Sequence, residues 1–166
     1  MILYKNIDGV FGDGTHESTQ LVMQLVNKQH LQNKKVLDIG TGTGIQSINA
    51  YEQGAAYVTA TDLSPSAVLL AQKNFEKNNV IGKVIFTDLV HDIDEQFDLI
   101  ITNLPCHIYK DLFNEHIEKN LVQDGLLIMS WPNCFDMKRE LNLNNFQILD
   151  SIIGDEYSSY ILRRRK

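Results

Sequence analysis

Four apolar segments of this 166-residue chain carry a carboxylic acid or a carboxamide at, just before or just after their last residue. In chain order these side chains are Asp38, Asp62, Asp88 and Asn103. Carboxylates accept hydrogen bonds from hydroxyl and amino groups, whereas a carboxamide both donates and accepts. If the segments are neighbouring parallel strands, their carboxyl ends lie along one edge of a sheet, where open α/β proteins bind ligands. The four side chains therefore predict a polar binding edge.

A glycine-rich turn follows the first of these segments. Residues 35–44 have the sequence KVLDIGTGTG, and a helix-like pattern begins at Ile45. Glycines such as Gly40 and Gly42 let a ligand approach the backbone, and a helix N-terminus offers free N–H groups with about half a positive charge. Ile45 stands where the dinucleotide-binding pattern G-x-G-x-x-G requires its third glycine. The turn predicts a site for a nucleotide-type ligand, and a purely structural turn is the alternative.

The composition argues against several other classes of protein. The net charge of −6 disfavours a protein that binds nucleic acid with its whole surface. The chain nevertheless ends in the basic run RRRK at residues 163–166, which is either a solvated end or a contact for phosphate or an acidic partner. No apolar run is long enough to cross a bilayer, and the first 14 residues lack the layout of a signal peptide.

The cysteines and histidines give no metal-binding or redox pattern. Cys106 and Cys134 lie far apart in the sequence, and neither they nor the five histidines have the spacing of metal ligands. We therefore expect reduced cysteines, no metal site and a cytoplasmic protein.

Helical and strand-like patterns alternate along the chain and give way to two final strands. The predicted helices cover about residues 18–28, 45–53, 65–78, 112–121 and 136–143. The predicted strands cover residues 36–39, 56–62, 83–87, 97–103, 126–131, 146–153 and 158–164. Strands joined by helices form a parallel sheet, whereas the four residues between the last two strands predict a hairpin. We expect one α/β domain over residues 1–166, with a Rossmann-like, seven-stranded, mostly parallel sheet, an antiparallel last strand and helices on both faces.

Local signals refine three of these elements. Ser64 and Pro65 predict an N-cap and the first turn of a helix, and Gly54 predicts the end of the preceding one. His116 shares the spacing of an apolar helical face, so it is predicted to be packed in the core.

Four segments of the sequence resemble a known family. They are FGDGTHEST at residues 11–19, DIGTGTG at 38–44, TDLSPSA at 61–67 and NLP at 103–105. The glycine turn resembles motif I of the class I S-adenosylmethionine (SAM)-dependent methyltransferases. Together the four segments resemble the catalytic domain of the ribosomal protein L11 methyltransferase family, over residues 11 to about 133. The resemblance implies the sheet order 3-2-1-4-5-7-6 and SAM as cofactor.

The resemblance also implies the residues that contact SAM. Those carried over by position are Thr19, Gly40, Asp62 and Asn103. The backbone from Gly40 to Gly42 is expected at the methionine part of SAM, with Asp38 near its ammonium group. Asp62, which Leu63 follows, is expected to accept both ribose hydroxyls, unless it only caps the next helix.

Two further segments are assigned in the same way. Asp88 is expected to accept from the adenine amino group while the N–H of Leu89 donates to the ring, unless Asp88 is only a solvated turn residue. In the resembled family, the FGxGxHxST segment closes over SAM, and residues 1–30 are expected to cover the cofactor here. Gly14, Thr15 and His16 lie in this segment, where Thr15 is expected to contact the cofactor and His16 is a base, a substrate contact or a structural residue of the loop.

Asn103, Leu104 and Pro105 stand where methyltransferases present the acceptor. The Asn103 amide oxygen and the following carbonyl can hold the N–H groups of an amine so that its lone pair faces the methyl group. A turn without a catalytic part is the alternative. The sequence NLP differs from the NIL of the resembled family, and Cys106 replaces the aromatic residue of NPPY-type enzymes, which disfavours adenine as acceptor.

The expected function is transfer of a methyl group from SAM to an amine of a protein, peptide or small molecule. An RNA or tRNA methyltransferase that uses the basic tail is one alternative. A SAM-binding module that needs a partner subunit for activity is another, since the recognition domain of the resembled enzymes has no counterpart in the sequence. Nucleic acid is the less favoured acceptor, and no membrane association is expected.

Overall fold

A computed structural model of the protein describes residues 10–165. Lys166 of the basic tail and residues 1–9 of the predicted covering segment lie outside the described residues. Most of the first 14 residues, which lack the layout of a signal peptide, therefore also lie outside the described residues. Within the described part, no helix is both long enough and apolar enough to cross a membrane.

The described residues form one seven-stranded sheet in the order β3-β2-β1-β4-β5-β7-β6. The strands are β1 Lys35–Ile39, β2 Tyr57–Asp62, β3 Gly82–Phe86, β4 Phe97–Thr102, β5 Leu121–Pro132, β6 Phe146–Ile153 and β7 Tyr157–Arg164. β7 pairs antiparallel with both β5 and β6, and the other pairings are parallel. The predicted fold class and strand order are confirmed.

Helices cover both faces of this sheet. They are α1 Glu17–Asn27, α2 Ile45–Glu52, α3 Pro65–Lys77, α4 Cys106–Asn114 and the single turn α5 Met137–Glu140. Because side chains alternate along a strand, Leu37 and Ile39 pack in one core with residues of α4 and α5. Val36 packs in the other core with residues of α1, α2 and α3. The terminal signals are confirmed, since Ser64 caps α3 and Gly54 follows α2 with a φ of 103°.

The predicted helix over residues 112–121 is wrong in its position. α4 begins earlier, at Cys106, and ends at Asn114. A short 3-10 helix, Ile117–Asn120, follows, and Leu121 already belongs to β5. His116 lies between the two helices with a φ of 62°, and its exposed imidazole contacts Glu118. The predicted core position of His116 is therefore wrong, because helical spacing applies only while the helix continues.

Two more boundaries differ from prediction. The fifth strand, predicted over residues 126–131, begins earlier, at Leu121, and contains a register shift with Asp124 in the left-handed region. The predicted helix over 136–143 is reduced to one turn. Asparagines at 142, 144 and 145 follow it, and asparagine side chains favour turns over helix because they bond to nearby backbone groups.

Candidate active site

A cavity of about 630 Å³ lies at the carboxyl ends of the central parallel strands. Predicted site residues that line it are His16, Gly40, Gly42, Asp62, Leu63, Asp88, Leu89, Asn103, Leu104 and Pro105. Thr15, Thr19 and Asp38 were also predicted as cofactor contacts, and they are not among the lining residues. The fold therefore brings most of the predicted residues from separate segments to one cavity.

Asp62 is held rigidly at the end of β2. Its Oδ2 accepts the backbone N–H of Gly42 at 2.9 Å, and its Oδ1 accepts that of Ser64 at 2.9 Å. Each carboxylate oxygen has two acceptor positions, so both oxygens keep capacity for another donor. The side chain thus caps the glycine turn and the α3 segment while it also faces the cavity.

The FGDG segment lies directly on the glycine turn. The Thr43 N–H donates to the Phe11 carbonyl at 3.2 Å, and the Thr43 hydroxyl donates to the Gly12 carbonyl at 2.6 Å. A Cβ on Gly42 would lie 2.2 Å from the Phe11 oxygen, and Gly42 has a φ of 55°. Only glycine fits this approach, so Gly42 serves the contact between the two loops as well as the cavity wall.

His16 ends this segment as the N-cap of α1. Its Nδ1 accepts from the Ser18 N–H at 3.3 Å and lies 2.8 Å from the Ser18 hydroxyl. A neutral ring with an accepting Nδ1 carries its proton on Nε2. The imidazole packs edge-on against Phe11 and Tyr157, with centroid distances of 5.3 and 5.1 Å. These contacts support the structural alternative for His16, although its ring also lines the cavity.

Asp38 lies beneath the glycine turn, with only 1% of its surface exposed. Its Oδ2 accepts the Thr41 hydroxyl at 2.7 Å, the Ser47 hydroxyl at 2.6 Å and the Ser47 N–H at 3.1 Å. Burial raises the pKa of Asp38 to about 6, while these donors oppose the rise. Its placement indicates a structural link between β1, the turn and α2 rather than a side chain open to a ligand.

The buried Asp38 should make stability depend on pH. Its folded pKa of about 6 lies above the ordinary aspartate pKa of 3.8, so between these pH values the folded state retains a proton that the unfolded state has lost. The free energy of unfolding should therefore fall, relative to an Asp38→Asn variant, as pH rises from about 4 to about 7. The difference should be at most about 3 kcal/mol. Urea unfolding of both proteins across this range measures it, and parallel profiles would contradict it.

Sequence patterns did not single out Glu17, whose carboxylate binds the β6–β7 turn. It accepts the backbone N–H groups of Asp155, Glu156 and Tyr157 at 2.6, 2.9 and 2.8 Å. These bonds lower the pKa of Glu17 and fasten the start of α1 to the β6–β7 turn. No local pattern signals them, because the partners lie about 140 residues away along the chain.

Removing the charge of Glu17 should loosen that turn. In a Glu17→Gln variant, we expect faster amide hydrogen exchange at residues 155–157 at pH 7, because charged acceptors bind N–H groups more strongly than neutral ones. Since the folded pKa of Glu17 is lowered, the wild-type protection should persist to acidic pH and disappear as pH falls through that pKa. Glu76→Gln on the exposed side of α3 is the control. Unchanged exchange at the turn would contradict the assignment.

Asn103 is held by two side chains at the end of β4. Its Nδ2 donates to the Thr19 hydroxyl at 3.2 Å, and its Oδ1 accepts the Ser130 hydroxyl at 2.5 Å. Thr19 is 1% exposed and is not among the residues that line the cavity. Thr15 is exposed, and its N–H and hydroxyl both donate to Asp13.

Three residues that line the cavity together with Cys106 and the NLP segment were not predicted from the sequence. They are Ile108, Pro132 and Tyr157. Pro132 ends β5 and Tyr157 begins β7, and antiparallel pairing places the two residues opposite each other. The β5–β7 pairing could have identified Pro132 and Tyr157, because it brings the start of the last strand to the carboxyl end of β5.

The basic tail is bound to the protein within its described part. Arg163 Nη2 donates to Gln147 at 2.7 Å, and Arg165 Nε donates to the Phe146 carbonyl at 2.8 Å. Arg164 donates to the carbonyl of Leu121. These guanidinium groups donate to backbone and side-chain acceptors near β5 and β6. Because they are engaged there, the alternative in which the tail binds RNA is disfavoured.

Comparison with solved structures first defines the class. The structure matches the ribosomal protein L11 methylase of Lactobacillus delbrueckii subsp. bulgaricus with a TM-score of 0.84 and 30% identity, over 95% of this chain and 82% of that one. It matches a T. thermophilus 16S rRNA N2 methyltransferase, solved with AdoMet and guanosine, with a TM-score of 0.77 and 22% identity, over 95% of this chain and 46% of that one. The second likeness shows the fold alone. The fold is that of the class I methyltransferases.

Sequence comparison then gives the family. The model of the family "Ribosomal protein L11 methyltransferase (PrmA)" matches residues 8–131, and the chain belongs to this family. Ribosomal protein L11 methyltransferase of Lactobacillus johnsonii is 36% identical over 142 residues, which are 83% of this chain and 45% of that protein. The relative from Thermosipho africanus is 31% identical over 96% of this chain and 64% of its own length. The chain thus spans about half the length of the first of these relatives.

Proposed function

We propose that this chain is a SAM-dependent methyltransferase that methylates an amino group of a protein. The observation that carries the proposal is the convergence of the Asp62 carboxylate and the Asn103 carboxamide on one cavity in a chain of this family. Each of the two side chains is fixed by two hydrogen bonds. The relatives' name, ribosomal protein L11 methyltransferase, supports a protein as acceptor.

The residues present fit SAM. Ligand pockets typically measure about 300–1,000 Å³ and have mostly apolar walls with a few fixed polar groups. The cavity of about 630 Å³ has this character, with Ile39, Ala67 and Leu89 among its apolar residues. Asp62 would accept the ribose hydroxyls with its remaining lone pairs, and the backbone from Gly40 to Gly42 would lie beside the methionine part.

Asp88 and Leu89 would bind the adenine. Leu89 has a φ of 47°, a conformation that costs a branched residue free energy and is often kept at functional sites. The Thr61 hydroxyl donates to the Leu89 carbonyl at 3.2 Å and thereby restrains the backbone on the C-terminal side of Leu89. This restraint and the unusual φ support a role for the Leu89 N–H as a donor to the ring, with Asp88 accepting from the amino group.

Asn103 would position the acceptor. When bound, SAM supplies a sulfonium methyl group that is already activated for transfer to a nucleophile. Asn103 and the carbonyl of Leu104 would then hold the N–H groups of a neutral amine, and Pro105 would fix the turn. Positioning of this kind provides much of the rate in bimolecular reactions because it removes the entropy cost of alignment.

Residues up to 30 would cover the cofactor. The contacts of Phe11 and Gly12 with Thr43 support this, as does the position of His16 on the cavity wall. We further propose one domain, a cytoplasmic location and no metal requirement.

Labelled SAM tests the function directly. The chain is incubated with SAM carrying a labelled methyl group and with either recombinant ribosomal protein L11 or a cell extract, and the labelled species is identified. We expect label on lysine or N-terminal amino groups of a protein. Label on RNA would overturn the protein acceptor, and failure of SAM and S-adenosylhomocysteine to bind in calorimetry would overturn the whole proposal. Binding without transfer would favour a module that requires a partner.

A further inference from the structure

Tyr109 lies directly behind the NLP segment and is fully buried. It stands in the first turn of α4, and its ring packs 5.8 Å from that of Trp131 in β5, between centroids. Sequence analysis gave it no role, since it falls between the NLP segment and the apolar positions of the helix. Its hydroxyl, however, is aimed back at the end of β4.

The Tyr109 hydroxyl joins the residues on either side of Asn103. It donates to the Thr102 carbonyl at 3.2 Å and accepts the Leu104 N–H at 3.1 Å. Burial raises the pKa of Tyr109, so the phenol keeps the proton that it donates. Both backbone groups belong to the point where β4 ends and the chain turns, and a buried backbone group without a partner is costly.

A second link runs through Ser130. The Ser130 hydroxyl donates to Asn103 Oδ1 at 2.5 Å. Thr19 holds the other end of the same carboxamide. The Tyr109 hydroxyl therefore holds the backbone on both sides of Asn103, while Ser130 and Thr19 hold its side chain.

We propose that Tyr109 is a positioning residue, whose hydroxyl fixes the turn at residues 102–104 so that Asn103 presents its carboxamide to an amine in the cavity. The inference rests on the proposed function, because it assigns the amine site to Asn103. It predicts that the hydroxyl matters for recognition of an amine beside SAM and not for binding of the nucleoside. Ring packing and hydrogen bonding are separable here, since Tyr109→Phe keeps the ring.

Sinefungin and S-adenosylhomocysteine (SAH) provide the test without a known acceptor. Sinefungin carries an amino group where SAM carries the transferred methyl group, whereas SAH has nothing there. Calorimetry gives both dissociation constants for wild type, Tyr109→Phe and Asn103→Ala, with Tyr51→Phe on α2 as the matched control. We expect Tyr109→Phe and Asn103→Ala to reduce the preference for sinefungin over SAH at least fivefold. The SAH affinity of Tyr109→Phe should stay within twofold of the wild-type value, and Tyr51→Phe should change neither dissociation constant.

Amide hydrogen exchange at Leu104 shows whether the turn has been released. We expect faster exchange in Tyr109→Phe than in wild type or Tyr51→Phe. The inference would be overturned if the ratio of the sinefungin and SAH dissociation constants were the same in wild type and in Tyr109→Phe. This holds whatever the value of the ratio and whatever the exchange rate at Leu104. Failure of wild type to bind SAH would instead overturn the proposed function, so the two failures are distinguishable. Should Tyr109→Phe fail to fold, Ser130→Ala tests the same network by the same ratio, with the same outcomes.

Discussion

Asp62→Ala should weaken SAM binding by about 1–3 kcal/mol, which is roughly 5- to 150-fold in the dissociation constant. Two physical causes act together. The variant loses the acceptor proposed for the ribose hydroxyls, and it also frees the N–H groups of Gly42 and Ser64 that the carboxylate now holds. The glycine turn would then be less well organised for the ligand.

Calorimetry with SAM and SAH measures this change. Asp94→Asn provides the control, because it removes an exposed carboxylate outside the residues that line the cavity. Far-ultraviolet circular dichroism and a thermal melt establish that both variants are folded. An affinity equal to that of wild type in a folded Asp62→Ala protein would remove the ribose assignment.

Asn103→Ala should lower the rate of methyl transfer about 100-fold, since misplacement of an acceptor by about 1 Å can cost that much. SAM affinity should change little, because the proposed role of Asn103 is toward the acceptor. The substitution also leaves the hydroxyls of Thr19 and Ser130 without their present partner. A moderate loss of stability is therefore expected together with the loss of rate.

Single-turnover transfer from labelled SAM to ribosomal protein L11, or to the acceptor found in an extract, measures this rate. Asn144→Ala before β6 is the matched control, because residue 144 is exposed and outside the cavity lining. A variant that transfers at the wild-type rate would refute positioning by Asn103. A variant that loses SAM binding in proportion to its rate would move Asn103 to the cofactor site.

Local sequence patterns were sufficient to predict most of the polar residues at the strand ends that line the cavity. Asp62, Asp88 and Asn103 could be placed on one edge because parallel strands expose their carboxyl ends together, and all three line the cavity. The family resemblance is confirmed by the match over residues 8–131. Element boundaries were less predictable where the assignment of a residue depended on the assumed length of its helix. His116 was assigned to a helix that ends two residues earlier.

Hydrogen bonds made in the completed fold, with near or distant partners, decided the roles of individual side chains. Asp38 has the same position relative to its strand as a ligand-binding acid would have, yet three donors from Thr41 and Ser47 hold it beneath the turn. Thr19 was assigned to the cofactor, yet its hydroxyl accepts from Asn103, 84 residues away. Periodicity and motif spacing contain no information about such contacts, because they depend on how the completed sheet packs.

The sequence by itself determined the alternation of strands and helices, the glycine turn and the polar residues at the strand ends. It did so because buried strands, helix caps and turns each require particular residue types over short stretches. Only the tertiary structure decided which polar groups face the cavity and which support it from behind. Glu17, Tyr109 and Ser130 have their roles because the completed fold brings their oxygen atoms to backbone or amide groups of other segments. A hydrogen bond of about 3 Å is a condition on three-dimensional distance, which spacing along the chain does not specify.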